Sequence, residues 1–234
     1  MQSLMDFLSR LMALWITLAI PFLLVLGSAR LVMTPLFLQF EYTRPGFPDD
    51  FYGFTTEDRL LYGPLGVEYM LNGEPISFLG DLRLSGEKCW PPADNSCAMF
   101  NERELRHMKD VKDVATALFI GGLVVLISSL FAAAYLWITR RRRALRGALR
   151  TGAVLTLALI VGIVIAAIVA WDTFFELFHA IFFEADTWRF YYSDTLIRLY
   201  PEQFWFDAAL AIGILTSLGA LLMLLVTLKR GRIT

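Results

Sequence analysis

Four long runs of apolar residues divide the chain, and each is long enough to cross a membrane as a helix. They extend from Leu11 to Ala29, Val114 to Ile138, Thr151 to Trp171 and Ala208 to Leu228. A hydrocarbon core needs about 20 apolar residues in a helix, and none of the four runs contains a charged side chain. The pattern therefore predicts an all-α membrane protein, a bundle of four transmembrane helices whose backbone polar groups are bonded within each helix.

The polar stretches between the runs complete a seven-part division of the chain. The predicted parts are a first transmembrane helix at 1–40, an extracytoplasmic domain at 41–106, a second transmembrane helix at 107–139, a basic cytoplasmic loop at 140–150, a third transmembrane helix at 151–178, an outer aromatic-rich segment at 179–206, and a fourth transmembrane helix with a basic tail at 207–234. Composition agrees with this class, because 57% of the residues are hydrophobic, where a soluble domain has roughly 45–50%.

Basic residues set the predicted orientation. The connection between the second and third runs reads TRRRRALRGALR, with six arginines and no acidic residue, and the chain ends with further basic residues from Lys229 onward. Because short cytoplasmic segments are enriched in arginine and lysine, both termini are expected in the cytoplasm. A nucleic-acid-binding role is disfavoured, since the arginines adjoin two helix ends and have no aromatic residues between them.

Two helix-start signals lie in the segment between the first two runs. The T-x-x-D motif that begins at Thr55 precedes LLYGPLGVEYMLNG and favours a helix, although a β-hairpin that turns at Asn72-Gly73 is the alternative. The N-x-x-E motif that begins at Asn101 is clearer. It predicts a helix that runs without a break into the second transmembrane helix.

The only two cysteines, Cys89 and Cys97, lie close together in a proline-containing part of the extracytoplasmic domain. Their even number and an oxidising compartment favour a structural disulfide. A zinc site needs more ligands at tighter spacing, and redox catalysis usually uses C-x-x-C, which is absent.

The chain has only two histidines, and hydropathy places both at the same outer rim of the membrane. His107 lies just before the second apolar run and has Asp110 one turn later, whereas His179 follows the third run and shares a helix face with Asp172 and Glu176. An imidazole can take and return a proton near neutral pH, and a carboxylate neighbour can fix its tautomer. Either histidine alone also suits a membrane-interface position, so the pairing is what indicates a site.

Two segments resemble the paired signature of the bacterial lipoprotein intramolecular transacylase family. They are ERELRHMKDVKDV, before the second run, and FELFHAIFFEADTWRFYYSDTLIRLYPEQFW, after the third. The residues that carry the resemblance are His107, Met108, Asp110, Val111, Lys112, Phe178, His179, Phe182, Phe183, Trp188, Asp194, Leu196, Ile197, Pro201 and Phe204. The four-span layout is also similar, whereas the cysteine-bounded loop departs from the family pattern and leaves open a divergent substrate.

The resemblance implies an acyltransferase in the bacterial plasma membrane, with its active site on the extracytoplasmic side. Its partners would be diacylglyceryl-modified lipoproteins within membrane lipid, and no cofactor or metal is implied. The enzyme would move the sn-2 acyl chain to the α-amine of the N-terminal cysteine and leave a lyso-form lipoprotein. This chemistry needs a base, because an α-amine with a pKa of about 8 is mostly protonated at neutral pH.

From these expectations we assign roles to the candidate residues. His107 is the general base, oriented by Asp110, and His179 is the acid or oxyanion partner, tuned by Glu176 and Asp172. The substrate-binding candidates are Arg30, Lys112, Asp172, Trp188, Arg189, Asp194 and Arg198. The four basic residues are also interpretable as interfacial anchors, and Trp188 as part of an interface belt.

Three other function classes remain open at this point. A membrane scaffold or binding protein would use the extracytoplasmic domain and would need neither histidine. A transporter is disfavoured, because the apolar runs lack charges and conspicuous Gly/Pro interruptions at mid-depth. A metal hydrolase could use His107, His179 and a carboxylate, and it would lose activity in a chelator.

Overall fold

A computed structural model describes residues 2–84, 88, 97–184 and 187–229, and the regular structure in this part of the chain is helical. Its helices are α1 (Gln2–Val32), α2 (Pro35–Thr43), α3 (Thr56–Leu71), α4 (Ser77–Gly80), α5 (Glu102–Ile138), α6 (Arg142–Val169), α7 (Trp171–Phe182), α8 (Thr195–Leu199) and α9 (Glu202–Lys229). Four of them, α1, α5, α6 and α9, are long and apolar enough to cross a membrane. This confirms the predicted all-α class with four transmembrane helices.

The helices belong to two compact units. The first unit comprises Met1–Leu31, Ala117–Val169 and Leu210–Thr234, and the second comprises Val32–Thr116 and Ala170–Ala209.

Small residues allow the helices of the first unit to pack closely. Gly152 of α6 faces Ile20 of α1, and a Cβ added at Gly152 would lie 2.6 Å from Ile20 Cδ1. A buried hydroxyl pair, Thr216 Oγ1 donating to Ser28 Oγ at 3.0 Å, joins α9 to α1. Because lipid is as apolar as leucine, close contact between small residues and interhelical hydrogen bonds stabilise such a unit more than apolar burial does.

The second unit has a conventional hydrophobic core. Its fully buried members come from α2, α3, α4, α5, α8 and α9 and include Leu38, Tyr69, Leu79, Met108 and Leu199. Met108 anchors the first part of α5 in this core. Its neighbour His107 is therefore held beside the core by the same helix.

Both helix-start signals are confirmed. Thr55 and Asp58 form a capping box at the start of α3, which excludes the hairpin alternative at Asn72-Gly73. Asn101 Oδ1 accepts from the backbone N–H groups of Arg103 and Glu104, and α5 runs unbroken from there to Ile138.

The third predicted helix is interrupted, which corrects the segment 151–178. Helix α6 ends at Val169, Ala170 leaves the helical conformation with φ −145° and ψ 60°, and α7 begins at Trp171. The break lets the Trp171 ring pack against Phe206 of α9 at 5.1 Å, and it places Asp172 in the first turn of α7, where the helix dipole favours an acid.

The basic loop predicted at 140–150 is also mostly helix. Only Thr139–Arg141 connect α5 to α6, with Arg140 at φ 59°, so the later arginines project from the first turns of α6. The first predicted segment, 1–40, likewise contains two helices, because Thr34 caps a new helix with Pro35 at its first position.

We expect Gly152→Ala to destabilise the first unit by about 1–3 kcal/mol, because its methyl group would overlap Ile20 and the Thr17 carbonyl. Gly162→Ala, in the same helix with open space around it, should be neutral or stabilise by about 0.5–1 kcal/mol. Thermal unfolding in detergent measures both variants. Equal effects of the two substitutions would contradict close α1–α6 packing.

Candidate active site

The two histidine rings lie together within the second unit. Their centroids are 6.2 Å apart, with an angle of 24° between the ring planes. His107 comes from the first turns of α5 and is only 7% exposed, and His179 comes from the last turn of α7. The structure thus brings together the two residues that the sequence singled out.

Aromatic rings surround this histidine pair. Phe183 and Phe190 lie 5.1 Å and 5.3 Å from His107, while Phe175 and Trp188 lie 4.1 Å and 4.5 Å from His179. We call these four rings the aromatic cage. The cage limits the access of water to both imidazoles and strengthens electrostatic interactions between them and a bound substrate.

A backbone hydrogen bond fixes the tautomer of neutral His179. Its Nδ1 lies 2.8 Å from the carbonyl oxygen of Phe175, which can only accept. Nδ1 therefore carries the proton, and Nε2 keeps a lone pair that can take a proton from a substrate. Burial lowers the pKa of His179 below its ordinary value, so the ring is neutral at pH 7 and ready to act as a base.

His107 lacks the kind of hydrogen bond that fixes the tautomer of His179. Its Nδ1 is buried and has no hydrogen-bond partner among the described residues. Burial among aromatic rings disfavours a charge, and a neutral imidazole still has one N–H that can donate to a developing oxyanion. A buried nitrogen without a hydrogen bond raises the free energy of the folded protein. Such nitrogens are typical of sites that bind a ligand.

The predicted carboxylate neighbours do not bond to the imidazoles. Within the described residues no hydrogen bond joins Asp110 to His107, and Nδ1 of His107 is unpaired. Glu176 is exposed and lies 3.3 Å from Nη2 of Arg189, and Asp172 is exposed at the start of α7. The acids thus lie on the helix faces that one-turn spacing predicts. The predicted hydrogen bonds to the histidines are absent among the described residues.

A cavity of about 420 Å³ adjoins the aromatic cage. Glu176 and Arg189 contribute its charged groups, and Leu177 and Ala180 contribute apolar walls. Trp188 and Phe183 line the cavity and also belong to the aromatic cage. The cavity therefore combines apolar walls with both signs of charge, and two rings of the aromatic cage separate it from the histidines.

Two acidic side chains hold the segment that supplies half of the cage. Glu104 is 1% exposed and accepts hydrogen bonds from the backbone N–H groups of Leu196 at 2.6 Å and Asn101 at 2.7 Å. Asp194 accepts from Arg103 and from Asn101 at 3.0 Å and 3.1 Å. We call this pair of acids the acidic clamp, and it ties the start of α5 to the residues that follow Trp188 and Phe190.

Three predicted substrate-binding residues have protein partners instead. Asp194 belongs to the clamp. Arg198 is 1% exposed, lies 3.2 Å from Asp50 and stacks on Phe54. Lys112 donates to Asn72 and to the Glu74 carbonyl at the end of α3. These contacts indicate that all three stabilise the second unit.

The remaining predicted groups lie elsewhere. Arg30 is in the first unit, exposed in the last turn of α1. Cys97 is disulfide-bonded, whereas its predicted partner Cys89 is outside the described residues. In the part of the chain that is described, no three histidine, cysteine or acidic side chains are grouped so that they could hold a metal ion.

Comparison with known proteins identifies the family. A profile described as lipoprotein intramolecular transacylase Lit matches residues 13–205, most of the chain. The chain belongs to this family. It is therefore an acyltransferase that acts on lipoproteins, and it is a multi-pass bacterial membrane protein. Both agree with what the sequence resemblance predicted.

Related proteins agree with this assignment. An uncharacterized protein of Aquifex aeolicus strain VF5 is 30% identical over 217 residues, which cover 92% of each chain. The structure of the Lit transacylase of Bacillus cereus matches with a TM-score of 0.77 and 20% identity over 98% of this chain and all of that chain. A structure of that protein with a histidine-to-alanine substitution matches with a TM-score of 0.74 and 19% identity, over 100% and 99% of the two chains. These two likenesses support the fold.

Sequence reasoning missed several residues of this candidate site. Phe175 and Phe190 are two of 19 phenylalanines, and nothing in their spacing distinguishes them. Glu104 was recognised only as part of a helix start, although the same carboxylate reaches Leu196. A long-range bond of this kind leaves no local sequence signal.

We expect Glu104→Gln to lower the free energy of unfolding by about 1–3 kcal/mol, because one amide oxygen replaces a carboxylate that accepts from two buried N–H groups. Glu102→Gln, at an exposed position in the same turn, should have little effect. Denaturant unfolding in detergent compares the two variants. A glutamine at 104 as stable as the parent would contradict the clamp.

Proposed function

We propose that this transacylase moves the sn-2 acyl chain of a diacylglyceryl lipoprotein to the α-amine of its N-terminal cysteine and so forms a lyso-form lipoprotein. The observation that carries the proposal is the stacked pair of histidines in one aromatic cage. The reaction takes place on the extracytoplasmic side, and the arginine-rich connection between α5 and α6 supports this orientation.

His179 is the general base in this proposal. The neutral amine attacks the ester carbonyl carbon, and its proton passes to Nε2 of His179, whose tautomer suits this role because Nδ1 donates to Phe175. The ester C–O bond then breaks, and the proton moves to the glyceryl oxygen, which leaves as a hydroxyl. The acyl group ends on nitrogen as an amide, so atoms and charge balance without another reactant.

His107 supplies the hydrogen bond to the oxyanion in this proposal. The two ring centroids lie 6.2 Å apart, so one reacting centre at the edge of the pair is within reach of a nitrogen from each ring. This reverses the roles expected from the sequence. The reversal is supported by the fixed tautomer of His179 and by the missing hydrogen bond between His107 and Asp110.

The cavity beside the aromatic cage holds the lipid-modified cysteine. Glu176 attracts the α-ammonium before it loses its proton, Arg189 binds ester or glyceryl oxygens, and Leu177 contacts the acyl chain. Amine and ester belong to one molecule, so positioning alone supplies a large part of the acceleration. The aromatic cage excludes water that would otherwise hydrolyse the ester.

The test uses purified protein in vesicles with a synthetic diacylglyceryl lipopeptide and tandem mass spectrometry. Substrate and product have equal mass, so fragmentation must locate the acyl chain on the amine. A mixture of unlabelled and deuterated lipopeptides should give no mixed product, because the transfer stays within one molecule. Free fatty acid as the main product, or acyl exchange between lipopeptides, would overturn the proposal.

We expect His179→Ala and His107→Ala to lower conversion by about 10²–10⁴-fold each, since each removes a group that contacts the reacting atoms. The matched controls are Ile181→Ala on α7, a residue that is 73% exposed, and Lys109→Ala on α5, an exposed position. Both controls should keep conversion near the parent rate. Full activity in either histidine variant would remove that residue from the mechanism.

The pH dependence should follow the substrate amine. Because burial lowers the pKa of His179 below its ordinary value, this ring is in its base form at neutral pH. We therefore expect kcat/KM to rise with pH until it levels off near the amine pKa of about 8. A lipopeptide with a less basic amine should shift the profile to lower pH. If the pH profile of kcat/KM is the same for both lipopeptides, the titrating group belongs to the enzyme and the prediction is wrong.

A further inference from the structure

Helix α2 carries apolar side chains on two sides. On one side Leu38 and Tyr42 are buried in the core of the second unit. On the other side Leu36 and Phe40, which lie one turn apart, are 75% and 64% exposed. Single exposed apolar residues are common in proteins, so the position of α2 in the fold decides what this second side contacts.

The first end of α2 lies close to the end of a membrane-spanning helix. Only Met33 and Thr34 separate α1 from α2, and the N–H of Thr34 donates to the Val32 carbonyl at 2.8 Å, so the connection is a tight turn. The uncharged apolar run of α1 ends immediately before Arg30. Because the three residue steps from Val32 to Pro35 span at most about 11 Å, α2 begins near the level where α1 leaves the hydrocarbon core.

The other end of α2 is held against the start of a second membrane-spanning helix. Arg44, which follows the last turn of α2, forms an ion pair with Asp207 of α9. The uncharged apolar run of α9 begins at the next residue, Ala208. Phe37 of α2 also packs on Phe204 of α9, with 5.8 Å between the ring centroids. The end of α2 therefore lies near the level where α9 enters the hydrocarbon core.

Both ends of α2 thus lie at the same membrane surface. In the described chain α1 and α9 are the first and last of four spans, so the end of α1 and the start of α9 are on the same side. A helix of nine residues with both ends at this level lies along the surface. Its exposed side has an apolar edge, Leu36 and Phe40, and a polar edge, Gln39 and Thr43. Such a division is typical of helices that lie in a membrane interface.

We propose that α2 is a membrane-surface helix whose apolar edge inserts among lipid acyl chains, while its polar edge faces headgroups and water. The partner of this surface is the lipid bilayer itself. Leu38 belongs to the same core as Met108, the neighbour of His107, so the inserted edge holds the histidine pair at headgroup depth. In the proposed reaction this is the depth of the substrate ester. The lipid contact itself does not depend on the chemistry of the histidines.

Spin labelling of the full chain in vesicles of phosphatidylcholine and phosphatidylglycerol measures the depth of each edge. Nitroxide labels at Leu36→Cys and Phe40→Cys should lie about 5–10 Å below the headgroup level, where they collide mainly with dissolved oxygen. The matched control is Gln39→Cys on the polar edge, whose label should collide mainly with a water-soluble nickel chelate. The unsubstituted chain, treated in the same way, gives the background of its own two cysteines.

Three results would overturn the proposal. Labels at all three positions that collide mainly with the nickel chelate would place the apolar edge in water. Labels at all three positions that are equally deep would mean a submerged helix without a polar edge. Spin–spin broadening at Phe40→Cys that disappears on dilution with unlabelled protein would show that a second copy of the chain covers this edge.

A carboxylate added to either edge gives a second test. Leu36→Glu, combined with the label at Phe40→Cys, should move that label toward water, because a charge opposes insertion into hydrocarbon. Gln39→Glu adds the same charge to the polar edge and should leave the label depth unchanged. Both positions are exposed, so the core should stay intact, and thermal unfolding in detergent checks this. Equal shifts in the two variants, or no shift with Leu36→Glu, would contradict insertion of the apolar edge.

Discussion

One buried carboxylate fixes the arrangement on which the site depends. Glu104 accepts hydrogen bonds from the backbone of Asn101 in its own helix start and of Leu196 at the start of α8. Bonds to a charged acceptor are stronger than neutral ones, and an unmade bond at a buried carboxylate is expensive. The residues around 190 therefore cannot leave α5 without leaving this buried acceptor and the Leu196 N–H unpaired in an apolar core.

This constraint also positions two rings of the aromatic cage beside the histidines. Phe190 and Trp188 precede the clamped Asp194, and their rings contact His107 and His179 respectively. His107 itself lies one turn after Glu104 on α5. The hydrogen bonds of Glu104 and Asp194 thus tie the start of α5 to the segment whose rings surround both imidazoles. Glu104, which holds the segment, and His107 are therefore neighbours on the same helix.

Much of the fold follows from local sequence patterns, because the forces that produce them are local. Uncharged apolar runs predicted the four long helices, and capping motifs at Thr55 and Asn101 predicted two helix starts. The break at Ala170 was not predicted, since no glycine or proline marks it and the contact of Trp171 with Phe206 that accompanies it is tertiary. The arginines after Arg141 were read as a loop, although arginine is a good helix former.

The pairing of the two histidines was predictable from the sequence, whereas the partners of the charged residues near them were not. Two histidines at one predicted depth indicated a shared site, and their rings lie 6.2 Å apart. Helical spacing shows which face an acid occupies, and it does not show what that acid bonds to. Arg198 and Asp194 looked like substrate ligands because charge alone cannot distinguish a substrate contact from the buried ion pairs and hydrogen bonds that they form.

The central claim is that the two histidines act together on one substrate. A double-substitution cycle of His107→Ala and His179→Ala, measured as the rate of lyso-form production, tests it most directly. If both imidazoles serve the same transition state, the double variant should be no slower than the worse single variant by more than about threefold. If the fold reductions in rate of the two single variants multiply in the double variant, the histidines act independently, and this result would contradict the account.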